Sequence, residues 1–191
     1  MYTSRDIAAV AACSALWGIL NTLISPIFWQ LTRMPFLCDL LAFMALILVV
    51  WWTRKFGAAS LTGVVVAAMT LTIQPTAFHI LAFIAASIVF DIAVKALGYE
   101  RLFASPVGGS LILIILSVLS AGIAGAIIGP LFMGLGALQA ILTFSGLHAF
   151  GGLIGGIIGV VVVRALTARR IKSAWILQHP WRDERWSTSR L

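Results

Sequence analysis

The residues able to do chemistry in this chain are few, and they lie inside or beside apolar runs. His79 and His148 offer imidazole nitrogens, Asn21, Gln74 and Gln139 offer carboxamides, Trp17 and Trp29 offer indole N–H groups, and Arg33 offers a guanidinium. Thr76, Thr143 and Ser145 place hydroxyls near them. Two histidines on different segments are too few for a metal without a third ligand of matching spacing, so no metal site is expected. The sequence contains no Walker A loop, no H-E-x-x-H, no G-x-S-x-G and no Cys-x-x-Cys. Nucleotide, zinc-peptidase, serine-hydrolase and dithiol chemistry therefore lack their usual groups. We expect no enzymatic activity and no cofactor. What remains is recognition, since aromatic rings with a few convergent hydrogen-bonding groups are what a small-molecule pocket offers.

The elements that must position these residues are hydrophobic spans. The chain is 61% hydrophobic and 10% charged, where a soluble domain carries about a quarter charged residues. That composition implies an integral membrane protein, and a span needs roughly 20 mostly apolar residues. Six segments qualify: about Arg5–Ser25, Phe36–Trp52, Ala58–Ile73, Thr76–Leu97, Val107–Ile128 and Leu138–Leu166. Gly129-Pro130 reads as the stop of the fifth, and Leu131–Ala137 as an apolar, glycine-rich loop that dips into the bilayer. The expected fold is an all-α membrane bundle of six transmembrane helices over residues 1–167, followed by a basic, tryptophan-containing tail over 168–191. The tail reads either as a segment lying on anionic headgroups or as a contact arm for a cytoplasmic partner.

Charge gives the orientation. With the N-terminus inside, every Lys and Arg of the 13 except Arg33 falls on the cytoplasmic side. The expected topology is N-in and C-in, in the cell membrane. Retention on that side also accounts for the net charge of +7 without invoking nucleic acid. Cys13 and Cys38 have neither disulfide nor metal spacing, and Val10-Ala11-Ala12-Cys13 does not read as a cleavage site because the apolar run continues past it.

In this topology the embedded polar residues share one depth. Asn21, Gln74, His79, Gln139 and His148 lie toward the outer side, with Trp29, Arg33 and Asp39 assigned to the outer connection between the first two spans. This arrangement reads as a pocket opening outward. His148 shares a helical face with Gly152, Gly155 and Gly159, so it faces the bundle, either as a ligand contact or as an interior histidine bonded to a neighbouring helix. His79, nearer the interface, reads as structural or solvated as readily as ligand-binding. Trp29 and Phe28 are interfacial anchors or a lid. Arg33 pairs with Asp39 or with an anionic ligand. Asp91 and Lys95, at i and i+4, read as a structural pair.

The first span carries a second feature. Ala8, Ala12 and Ala15 fall at i, i+4 and i+7 and share one face, widened by Ala11, so another helix can approach closely. With the size, six spans, N-in/C-in topology, Ala8-x-x-x-Ala12 and a glycine-rich last span, the chain resembles the substrate-binding (S) components of energy-coupling factor (ECF) vitamin transporters over residues 5–167. The resemblance implies capture of a small vitamin or vitamin precursor in an outward pocket. It also implies docking through Ala8, Ala12 and Ala15 on a transmembrane T component driven by two cytoplasmic ATPases, with ATP used only by those partners, and a gate that includes residues 28–33. Tyr2 stands where the cobalt/nickel type has a histidine, which counts against that branch. The alternative reading is a non-catalytic structural or assembly subunit of a larger membrane complex, in which the small-residue faces bind partner helices and the outer polar groups bond one another.

Overall fold

A computed structural model describes residues 2–105 and 107–169, and the basic tail lies almost entirely outside the described residues. The described residues are helical in seven elements: α1 (Ser4–Thr32), α2 (Phe36–Thr53), α3 (Ala58–Ile73), α4 (Ile80–Leu97), the short α5 (Tyr99–Ala104), α6 (Gly108–Phe132) and α7 (Leu138–Ala168). Five of them, α1, α2, α4, α6 and α7, are long and apolar enough to cross a membrane. The sixth expected span, α3, has 16 residues and so extends only about 24 Å at 1.5 Å per residue.

Helix boundaries differ from the sequence expectation at both prolines. α1 does not stop near Ser25 but runs through Pro26 to Thr32. Pro26 has no N–H, which leaves the carbonyl of Thr22 without its i+4 donor. Gln74, the C-cap of α3, fills the gap: its Nε2 donates to that carbonyl at 3.0 Å. Likewise α6 continues past Gly129-Pro130 to Phe132 and closes with an N–H of Met133 donating to Ile128. The apolar loop expected from Leu131 is thereby shortened to the residues between α6 and α7, where Gly134 turns the chain at φ +65°. The fourth span starts at Ile80 and not at Thr76, with His79 as its N-cap.

The helices close a ring. α1 packs on α2 and α3, α3 on α4, α4 on α6, α6 on α7, and α7 returns to α2. Glycines permit the closest approaches. A Cβ on Gly151 or Gly155 would meet the backbone of Phe36 or Leu40 on α2, whereas one on Gly152 or Gly156 would meet Ser117 and Ile114 on α6. The glycines of α7 thus serve two faces and seat it between two neighbours, where the sequence suggested one. α2 is the most enclosed span, with Ala42, Phe43, Ala45, Ile47, Val49 and Val50 fully buried.

One end of the ring gathers most of the described basic residues. There a capping box starts α1: Asp6 accepts from the N–H and hydroxyl of Thr3, and also pairs with Lys55 at 2.7 Å. Tyr2 donates to the carbonyl of Phe56. Asp91 does not pair with Lys95. Its Oδ2 accepts from the N–H of Gly57, the N–H of Ser60 and the Ser60 hydroxyl, so α4 caps the start of α3 in place of a local residue. Lys95 instead sits 4.2 Å over the ring of Phe56. The opposite, distal end holds Phe28, Phe36, Gln74, His79, Gln139 and His148, with Arg33 the sole Lys or Arg there among the described residues.

Candidate functional site

The distal half is built around one buried pair. Asp39 belongs to the first turn of α2, not to the connection before it, and is fully buried. At that position the helix dipole favours a carboxylate. His148 of α7 is equally enclosed, and its Nδ1 lies 2.7 Å from Asp39 Oδ2. The approach is an ion-pair contact and not an aligned hydrogen bond, because the ring N–H is not directed along it. The arrangement follows from three small residues. Gly151 brings α7 against the backbone at Phe36 and Asp39, and Gly155 holds the next turn against Leu40. Gly125 on α6 leaves space where a Cβ would strike His148 and Ser145.

Aromatic rings enclose the pair. Phe144 meets the His148 ring edge-on with centroids 4.8 Å apart, and Phe83 of α4 lies 6.3 Å away on another side. Phe83 in turn packs edge-on against Trp17 of α1 at 5.9 Å. Phe28, Phe36 and Phe150 form a second series near the end of α1, with centroids 5.0 and 6.1 Å apart.

Several polar atoms here are buried without a hydrogen-bond partner: both carboxylate oxygens of Asp39, both nitrogens of His148, Nε1 of Trp17, and the hydroxyls of Ser14, Thr22, Thr70 and Ser145. Each such group costs about 1–3 kcal/mol when left unmade, and removing one partner of a buried ion pair costs about 3–5 kcal/mol. Atoms of this kind also occur at the basic end, on Oδ1 of Asp6 and Oδ1 of Asp91, and each is a group that water, a ligand or a local shift would satisfy.

The residues singled out by sequence divide into three groups. Trp17, Asn21 and His148 are buried in the distal half, with Asn21 accepting from the Ser25 hydroxyl at 3.1 Å. Gln74 is committed to the Thr22 carbonyl. Trp29 and His79 are half-buried, and Arg33 and Gln139 are exposed. Arg33 ends α1 in the left-handed region at φ 57°, and the carboxylate suggested as its partner is engaged by His148. Gln139 lines a shallow depression of about 480 Å³ with Leu135, Thr143, Phe144 and Leu147. Phe144 therefore stands between that depression and the buried pair. His79 lies in the connection before α4, where burial holds its imidazole below the ordinary histidine range and His148 lowers it further.

Sequence reasoning missed Asp39 as the partner of His148. The signal was there: a lone carboxylate opening the run Leu40–Trp52 is an intramembrane charge, but the expected topology assigns it with Arg33 to the outer connection. Phe83 and Phe144 carry no signal that separates them from other core aromatics.

On the other side of α1, Ala8, Ala11 and Ala12 are exposed and Ala15 is half-buried. The small-residue face thus points away from the bundle and has no partner among the described residues. Comparison with family models, with curated proteins and with solved structures returns no match.

Proposed function

We propose that this chain is the membrane-embedded substrate-capture subunit of an ATP-driven importer of the ECF type. It binds a small vitamin or vitamin precursor in the distal half of a six-span bundle in the cell membrane. In this reading α3 is the sixth span, and the basic end faces the cytoplasm with both termini. Partner subunits hydrolyse ATP, and this chain carries no catalytic group. The observation that carries the reading is the set of buried, unpartnered polar atoms on Asp39, His148 and Trp17, contributed by three helices and walled by aromatic rings. The exposed alanine face of α1 supports the coupling half of the reading, since small residues let a partner helix approach closely.

Substitution of Ala12 by Trp tests it. We expect Ala12→Trp to abolish uptake and co-purification of a transmembrane partner with its ATPases, while the thermal stability of the isolated protein stays within about 0.5 kcal/mol of wild type, as for an exposed position. Co-purification and uptake unchanged by Ala12→Trp and by Ala8→Trp would refute the docking role.

A further inference from the structure

The apolar outer surface of the bundle is uneven in height, and its shortest and tallest helices are neighbours. On α3 the large exposed apolar side chains run from Leu61 to Ile73, about 18 Å at 1.5 Å per residue. On α4 they run from Leu81 to Leu97, about 24 Å. On α1 they run from Ile7 to Leu31 and on α7 from Leu138 to Val161, about 36 and 35 Å. α3 and α4 pack on each other, so the low side is one continuous edge.

Three contacts hold α1 and α3 parallel and in one register. Asp6 pairs with Lys55, just before α3. A Cβ on Gly18 would touch the side chain of Met69. The Thr22 carbonyl accepts from Gln74, at the end of α3. Leu23 and Ile73, both exposed, therefore stand at nearly one height. Beyond Ile73 the chain leaves the helix and turns, with Pro75 and Thr76 exposed. Beyond Leu23, α1 climbs on with Ile27 and Leu31 exposed, and Leu31 stands about 12 Å higher.

A flat hydrocarbon core about 30 Å thick fits neither helix. Irregular, lipid-exposed backbone is excluded from hydrocarbon. The non-helical residues 54–57 and 74–79 on either side of α3 must both lie outside it, although the helix between them rises only about 24 Å. A flat boundary drawn at Ile73 instead leaves Ile27 and Leu31 in water, against the hydrophobic effect. Rigid tilt removes neither conflict, because parallel neighbours tilt together. A bilayer relieves both by changing its thickness locally, which it does at modest cost.

We propose that the α3–α4 edge is a membrane-thinning surface. The distal leaflet dips to Ile73 along this edge and stays high along α1, and the edge takes lipids with short acyl chains. The inference rests on the six-span placement above, with α3 as a span, and is independent of the importer assignment.

Nitroxide labels on Leu23→Cys, Val64→Cys and Ile73→Cys test it, one at a time, in a Cys13→Ala, Cys38→Ala chain reconstituted in phosphatidylcholine vesicles. Depth is read from accessibility to oxygen against a water-soluble nickel chelate. The label at position 23 should lie about 6 Å deeper in hydrocarbon than the label at 73, half the rise from Leu23 to Leu31. The label at 64, near the middle of α3, should lie in hydrocarbon as well. Equal depths at 23 and 73 with 64 in hydrocarbon overturn the thinning alone and leave α3 a span. An aqueous reading at 64 strikes the six-span placement together with the proposal. If the cysteine-free chain does not fold, Leu23→Gln and Ile73→Gln in the native-cysteine chain decide. Leu23→Gln should lower the Tm in vesicles and Ile73→Gln much less, because the cost of a polar group grows with its depth. Equal losses overturn the proposal.

Discussion

Pro26 and Gln74 lie on different helices and complete one hydrogen bond between them. The proline deprives the Thr22 carbonyl of its donor, and the carboxamide supplies one at 3.0 Å. Gln74 is therefore a positioning residue that lets α1 continue to Phe28 and Trp29 at the distal rim. We expect Gln74→Leu to cost about 1 kcal/mol of stability. In a Pro26→Ala background the cost should fall toward zero, because the restored N–H serves Thr22. A double-mutant cycle in detergent unfolding measures the coupling, and equal costs in both backgrounds would remove Gln74 from that role. His79 makes a pH prediction at the same scale. Its folded imidazole is held below the ordinary value of 6.5, by burial first and His148 second. Unfolding therefore takes up a proton once the pH drops below about 6.5, and the stability present above that pH is lost as it falls toward the lowered folded value. The Tm of the wild type should decline below pH 6.5 more steeply than that of His79→Gln, and parallel curves would contradict it. Residue types were legible in the sequence, and so was the distal depth of Asn21, Gln74 and His148. Their partners were not. Gln74 reads equally as a ligand contact and as a carbonyl donor, because its partner lies 52 residues away on a helix the sequence appeared to end at Ser25.

At the scale of elements, α7 decides the geometry of the site. Its glycines seat it against α2 on one face and α6 on the other, and this seating places His148 on Asp39. The glycines sharing a face with His148 were visible in the sequence, and they announce close packing but not the number of neighbours. Two interleaved faces at 3.6 residues per turn look like one broad stripe in sequence. The consequence is a graded glycine series. Gly155→Ala would drive a Cβ to 2.6 Å from the Leu40 carbonyl oxygen and 2.8 Å from its Cα. Backbone cannot yield there as a flexible side chain can, and we expect a loss of about 1–3 kcal/mol. Gly146, on the same helix with nothing within 4 Å of its would-be Cβ, should tolerate alanine or gain up to about 1 kcal/mol from helix propensity. Equal stability of the two variants in detergent unfolding would mean that α7 is not seated as described. The trans-cap of α3 by Asp91 was hidden for a related reason: a carboxylate one turn before a lysine reads as a local pair, and nothing in the sequence tells that a neighbouring helix start is closer.

Across the whole molecule, two asymmetries define the design. The basic end carries the ion pairs and caps that fix helix starts, while the distal half carries the buried pair and its unpartnered atoms. The α1 face bearing Ala8 and Ala12 looks outward. The charge asymmetry and the apolar spans were legible in the sequence, because both are sums over many residues that survive errors of a few residues at each boundary. The interior was not, since enclosure of Asp39 depends on six helices closing a ring. The central claim, that the bundle captures a small molecule for an ATP-driven importer, is tested most directly by native mass spectrometry of the protein taken in mild detergent from its native membrane. We expect a small-molecule adduct on this chain, together with a transmembrane partner and two ATPase subunits. A ligand-free chain held in a complex without ATPases would contradict the claim and establish a structural subunit in its place.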